Sequence, residues 1–146
     1  GAGRCVKETG RIEGDIGRDP KDRKRMAVVK SNGKHAATNY QVLAQAGLAA
    51  SLIACKLETG RTHQIRVHLA HIGHPLIGDP VYLRRRPAAA KSLPPEVRDM
   101  ALDFPRQALH AETLGFAHLI TGASLRFSSP PPNDFKALQD ALLACA

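Results

Sequence analysis

Leu57-Glu58-Thr59-Gly60-Arg61-Thr62-His63-Gln64-Ile65-Arg66-Val67-His68 is where the chain changes its period. Before it, Ser51–Leu57 reads as an apolar strand, and Thr38–Leu43 alternates with Thr38, Tyr40 and Val42 on one face. After it, Ile65, Leu69 and Ile72 recur at i, i+4 and i+7, the stripe of a helix over 63–72. Thr62 is the expected N-cap and Gly73 the expected stop. A helix start offers free backbone N–H groups and the positive end of a dipole, which suit an anion. Arg61 lies just before that start and Arg66 one turn inside it. The stretch therefore suits a phosphate or a carboxylate; the alternative is a surface helix with ordinary basic side chains.

Reading outward, the linker Gly47–Ala50 suits an antiparallel hairpin between the two strands. Short strands are expected near Arg11–Ile16 and over Met26–Val29, with Asn32-Gly33 as a turn. Between them Arg18–Arg25 carries five basic residues in eight, interrupted by Pro20, and reads as an exposed basic loop. The stretch 83–103, with Arg84-Arg85-Arg86, an alanine run and Pro94-Pro95, reads as a mobile insertion. Strands are expected again over Arg106–Phe116 and Ala123–Phe127. Asn133 and Asp134 are candidate caps of a last helix, whose stripe is Phe135, Leu138, Leu142 and Cys145. This order predicts one α+β domain over residues 1–146, a mixed and largely antiparallel sheet with flanking helices.

Composition narrows the partners. Lys and Arg number 21 against 13 Asp and Glu, a formal net charge of +8. Such an excess points to a polyanion, nucleic acid first and an anionic membrane surface second. No stretch approaches the roughly 18–20 apolar residues of a membrane span, and Gly1–Gly10 has no apolar signal region. Cys5, Cys55 and Cys145 are few, odd in number and widely spaced, as in a reducing, cytoplasmic setting. His63, His68, His71 and His74 crowd one segment, but no HExxH pattern or nearby cysteine accompanies them, so no metal is expected.

The string Lys56–His68 resembles the third conserved motif of RluA-type pseudouridine synthases. The resemblance continues through His74-Pro75-Leu76-Ile77-Gly78-Asp79-Pro80-Val81-Tyr82, Arg106-Gln107-Ala108-Leu109-His110-Ala111 and Pro130-Pro131-Pro132-Asn133-Asp134. Upstream it includes Arg25-Met26-Ala27-Val28 and Gly33–Tyr40, so it covers about residues 11–143. Gly-Asp-Pro-Val-Tyr and Arg-Gln-Ala-Leu-His lean towards the synthases of type D that modify the large ribosomal subunit. The resemblance implies uridine-to-pseudouridine isomerisation in ribosomal RNA, without cofactor or metal. It implies that Arg66 pairs with a catalytic aspartate, that Leu57 and Ile65 form an apolar floor near the base, and that Arg61, Thr62 and His63 make phosphate or rim contacts. The family's His-Arg-Leu-Asp motif, which carries that aspartate, does not occur in these 146 residues. The expectation is therefore a C-terminal portion of the catalytic domain, inactive alone, with Arg66 deprived of its partner and a truncated sheet edge able to self-associate. The competing expectation is a non-catalytic, basic RNA-binding module.

Overall fold

The computed structural model describes residues 8–47, 49–83, 88–111, 113–117, 124–128 and 130–144. Strand β1 (Thr9–Glu13) pairs antiparallel with β4 (Ala37–Ala46), and β4 pairs antiparallel with β5 (Ala50–Leu57), giving a three-stranded sheet in the order β1-β4-β5. Strands β2 (Ile16–Arg18) and β3 (Met26–Val28) form a separate antiparallel hairpin. The fold is α+β with antiparallel sheets, as the alternation of apolar residues predicts.

The β4–β5 hairpin is longer and tighter than the sequence suggests. β4 runs on to Ala46, and Gly47 turns the chain with a φ of 54°. A bulge between Val42 and Ala44 supplies one extra residue, Leu43, which is left 57 % exposed.

Helix α1 (Gln64–His71) is wedged between the two sheets. Its stripe packs as its spacing requires. Leu69, flanked by Ile65 and Ile72, meets Ile12, Tyr40, Ile53 and Cys55 of the three-stranded sheet. Its other side sends Val67 against Ile16, Ala36, Met26 and Val28. The predicted Thr62 cap is not used. His63 occupies the N-cap in the left-handed region, φ 54°, with no side-chain cap bond, and the C-cap is Ile72, with Gly73 following at φ 87°.

A third apolar cluster lies at the far end of β4. Ala46 meets Leu93, Ala101 and Phe104, together with Leu138 and Leu142 of α3 (Asn133–Leu143). Leu93 and Ala101 of this cluster lie within 83–103, the stretch that reads as a mobile insertion. A 3-10 turn, Ala88–Ser92, and helix α2 (Pro95–Leu102) occupy most of it. The Ala and Pro content that reads as a loop instead permits close packing and starts a helix at Pro95. Arg84–Arg86, Cys5 and Cys145 lie outside the described residues.

Two further boundaries move. The strand expected from Arg106 begins only at Thr113, as β6 (Thr113–Ala117), which pairs with β7 (Ser124–Ser128). Residues 106–109 instead run beside the 76–79 loop, where the Ala108 N–H donates to the Ile77 carbonyl at 2.8 Å. At α3 the N-cap is Pro132, and Asn133 is the first helical residue.

Leu93→Ala tests whether 83–103 belongs to the cooperative core. The expected loss is about 2–4 kcal/mol of unfolding free energy in urea. A loss below about 0.5 kcal/mol, the size of a surface change, would return the segment to the status of a loosely attached insertion.

Candidate functional site

Arg66 is the third residue of α1, in its first turn, and is only 8 % exposed. It does not lack a carboxylate. Its Nε and Nη2 each donate to Asp79, at 2.9 Å to Oδ2 and 2.9 Å to Oδ1. The Asp79 side chain is fully buried. Asp79 Oδ1 also accepts the N–H groups of Val81 at 3.0 Å and Tyr82 at 3.1 Å. Pro80 presets the backbone for this Asx-type turn. Burial by itself pushes the Asp79 carboxyl up. The guanidinium and the two backbone N–H groups outweigh burial and hold it below the usual carboxylate range. The same bond to Asp79 raises Arg66, so both groups stay charged. Nη1 is the guanidinium nitrogen that Asp79 does not engage.

The loop presenting Asp79 has little freedom. Gly78 has φ 74°, and a Cβ there would lie 2.0 Å from the Arg106 carbonyl oxygen and 2.9 Å from that of Phe104. Only glycine fits both the sign of φ and that approach.

Tyr82 completes the group. The Arg66 guanidinium carbon lies 5.0 Å from the centre of its ring. The Tyr82 hydroxyl accepts the Met26 N–H of β3 at 3.2 Å and lies 3.0 Å from His63 Nδ1. Burial first, and then the charge of Arg66, lower the pKa of His63. In the tautomer with its proton on Nε2, the neutral ring accepts the Tyr82 hydroxyl proton at Nδ1.

Behind this group runs a continuous chain of hydrogen bonds. The Ala37 N–H donates to Thr59 Oγ1 at 3.1 Å, and the Thr59 hydroxyl donates to Gln64 Oε1 at 2.7 Å. Gln64 Oε1 also takes the Arg61 N–H at 3.0 Å, while the Gln64 N–H at the helix start donates to the Arg61 carbonyl at 3.1 Å. Gln64 Nε2 donates to the Ala37 carbonyl at 2.9 Å and to Thr38 Oγ1 at 3.0 Å. The Thr38 hydroxyl lies 2.8 Å from His68 Nδ1, and His68 Nε2 lies 3.0 Å from the Gly14 carbonyl. A carbonyl can only accept, so Nε2 carries the proton and Nδ1 takes one from Thr38. Among the described residues no buried polar side-chain atom lacks a partner.

The other expected site residues are placed separately. Arg61 is exposed, and its Nε donates to the His35 carbonyl at 2.8 Å. The two arginines are committed to different partners and do not build a shared anion cradle. Thr62 is exposed, and Leu57 is 46 % exposed at the end of β5. Ile65 packs into the cluster around Leu69. His63 and His68 are engaged by different groups, and among the described residues no three His, Cys, Asp or Glu side chains converge as metal ligands.

Comparison with known proteins agrees with the motif. A family model described as RNA pseudouridylate synthase matches residues 4–71. The "Ribosomal large subunit pseudouridine synthase D" of Nitrosomonas europaea is 49 % identical over 137 residues, 94 % of this chain and 38 % of its own length. That of Neisseria meningitidis serogroup A is 47 % identical over 133 residues, 91 % of this chain and 34 % of its own length. Among solved structures, "Human RNA Pseudouridylate Synthase Domain Containing 1" superposes with a TM-score of 0.63 at 28 % identity, covering 90 % of this chain and 51 % of that one. The chain belongs to the RNA pseudouridine synthase family. Within it, the chain is similar to large-subunit synthases of type D and spans little more than a third of the length of those two relatives.

Asp79, Tyr82, Gln64 and His68 are the participants that reading residue by residue missed. Gly78-Asp79-Pro80 has the composition of a turn, but nothing local points to Arg66 as the partner of Asp79.

His68 gives the site a pH signature. Burial, first among its influences, holds the folded pKa below that of the unfolded ring, about 6.5. The unfolded state therefore binds more protons, so this contribution is complete above about pH 6.5 and is lost as pH falls through the folded value. Urea unfolding at pH 7.5 and 5.5 should show the loss, and His68→Asn should be less stable at both pH values but with a smaller difference between them. An equal pH difference in the two proteins would contradict the assigned neutral ring.

Proposed function

We propose that this chain is the C-terminal portion of the catalytic domain of a pseudouridine synthase acting on ribosomal RNA, with Arg66 as the group that orients the catalytic carboxylate. The observation that carries this reading is the posture of Arg66: buried, charged, fixed along one edge by Asp79, and with Nη1 left over. A guanidinium held in this way can direct a second carboxylate without itself having to be ordered. In the isomerisation the N1–C1′ bond of uridine breaks and the uracil turns. C5 then joins C1′, with a proton lost from C5 and one gained at N1. The target base must leave its stack to be reached. The chemistry needs no redox partner. The catalytic carboxylate belongs to a His-Arg-Leu-Asp motif outside these 146 residues, so this chain is proposed to be inactive alone.

The RNA-binding part of the proposal rests on the β2–β3 hairpin. Its tip is ordered rather than loose: Asp19 takes the Arg25 guanidinium at 2.6–2.7 Å and the Lys21 N–H at 2.9 Å. That leaves Lys21, Arg23 and Lys24 exposed at the tip. Phosphates are the fitting partners for such side chains.

In a full-length synthase carrying this chain, Arg66→Lys is expected to reduce tritium release from RNA labelled at uridine C5 on the order of 100-fold, the cost of misplacing a reacting group. RNA affinity is expected to change little. Near-normal turnover would refute the role of Arg66. Replacing Lys21, Arg23 and Lys24 together by Ala should flatten the dependence of log affinity on log salt by about two to three times the roughly 0.7–0.9 expected per phosphate contact. An unaltered salt slope would remove the hairpin from the RNA interface and favour contacts elsewhere on the chain.

A further inference from the structure

We infer that Tyr82 is a positioning residue for the proposed isomerisation, a clamp that holds the Arg66 guanidinium and the His63 imidazole in one arrangement and ties both to strand β3. This rests on the reading of the site given above. Three independent contacts meet on this one side chain. Its ring lies against Arg66, 5.0 Å from ring centre to guanidinium carbon. Its hydroxyl accepts the Met26 N–H at 3.2 Å and faces His63 Nδ1 at 3.0 Å. Its own backbone N–H is held by Asp79, the residue that also grips Arg66. The clamp thus closes a ring: Arg66 to Asp79, Asp79 to the Tyr82 backbone, and the Tyr82 ring back to Arg66.

His63 shows what the clamp holds in place. A non-glycine residue at φ 54° sits in a region L side chains rarely adopt, and such residues persist where their surroundings overdetermine them. Tyr82 supplies that constraint, meeting the imidazole edge to face with ring centres 5.8 Å apart. The Met26 N–H already donates to the Tyr82 oxygen, so the Tyr82 proton is free to go to His63 Nδ1. That leaves the His63 N–H on Nε2, on a residue exposed beside the buried Arg66. The charged groups acting on His63 are Arg66 and Asp79. The arrangement presents one fixed donor, His63 Nε2, next to one fixed guanidinium edge, Arg66 Nη1. Met26 belongs to the hairpin whose tip carries Lys21, Arg23 and Lys24. RNA seated on that hairpin would therefore bear on Arg66 through a single side chain.

The test uses a full-length synthase carrying this chain and three substitutions. Tyr82→Phe keeps the ring and removes the hydroxyl; kcat should fall on the order of tenfold, the rate equivalent of one neutral hydrogen bond, with KM within about twofold of wild type, as for an interaction that matters only in the transition state. His63→Gly removes the imidazole but relieves the left-handed strain; it should lower kcat while leaving the melting temperature unchanged or raised. Leu93→Ala, in the apolar cluster around Ala46 and outside the group of side chains around Arg66, lowers stability and should leave kcat at 25 °C unchanged, which separates positioning from general destabilisation. Nitrogen-15 spectra give a readout independent of turnover. His63 should be the Nε2–H tautomer in wild type and lose that bias in Tyr82→Phe. Unchanged kcat in Tyr82→Phe in an active enzyme, or unchanged His63 signals, would overturn the clamp. A wild-type protein without tritium release would overturn the isomerase reading, and the nitrogen-15 signals would then decide the clamp by themselves.

Discussion

The Arg66–Asp79 pair is the interaction around which the site is built. Taking two charges out of water is expensive, and a buried pair offsets that cost only when its geometry is good and its remaining hydrogen-bonding capacity is used. Both conditions hold here. The pair is bidentate, and Asp79 spends its further capacity on the N–H groups of Val81 and Tyr82. The consequence is structural as much as electrostatic. The carboxylate fixes the 79–82 turn, the turn fixes Tyr82, and Tyr82 reaches β3. A single ion pair thereby joins the helix, a loop and a hairpin that are distant in sequence.

The chain from Thr59 through Gln64 and Thr38 to His68 does comparable work on the opposite side of α1. Apolar packing alone would let a helix slide or rotate by a few degrees against a sheet. A run of buried donors and acceptors in which every partner is specified allows one register only. Gln64 and His68 are one turn apart and both address the β4 strand at Thr38. Arg66, between them in sequence, is turned to the other side. The polar chain thus sets the helix rotation that aims the guanidinium at Asp79.

What the sequence disclosed follows from the range of each interaction. The stripe of Ile65, Leu69 and Ile72, the alternation around Tyr40 and the antiparallel hairpin are local patterns, and the structure keeps all three. The α3 stripe likewise holds at Leu138 and Leu142. The helix cap misleads because Thr62 has the right chemistry, while the chain turns at His63 and the helix begins one residue later, at Gln64. In the 83–103 stretch the packing is hidden from local reading, because Leu93, Val97 and Ala101, with Phe104 just beyond, find their partners on β4 and α3, far away in sequence. The helix start marks Arg66 as a candidate to hold an anion, and the motif suggests a carboxylate as that anion. The pairing of Arg66 with Asp79, 13 residues away, is a fact of tertiary structure.

That pairing alters how the proposed chemistry is to be understood. A lone buried arginine would hold a catalytic carboxylate chiefly by attraction, and would depress its basicity and its nucleophilicity together. Arg66 already has its charge balanced by Asp79. A second carboxylate meeting Nη1 would share one guanidinium with a neighbour of its own sign. It would gain direction from the fixed N–H bond and less electrostatic stabilisation than an unshared cation gives. Because a group that reacts well must be oriented without being quenched, a guanidinium with its charge already balanced is better suited to the role than a bare one. On this view Asp79 moderates the arginine as well as anchoring it, and the burial that makes their pairing costly also keeps water from dissolving it.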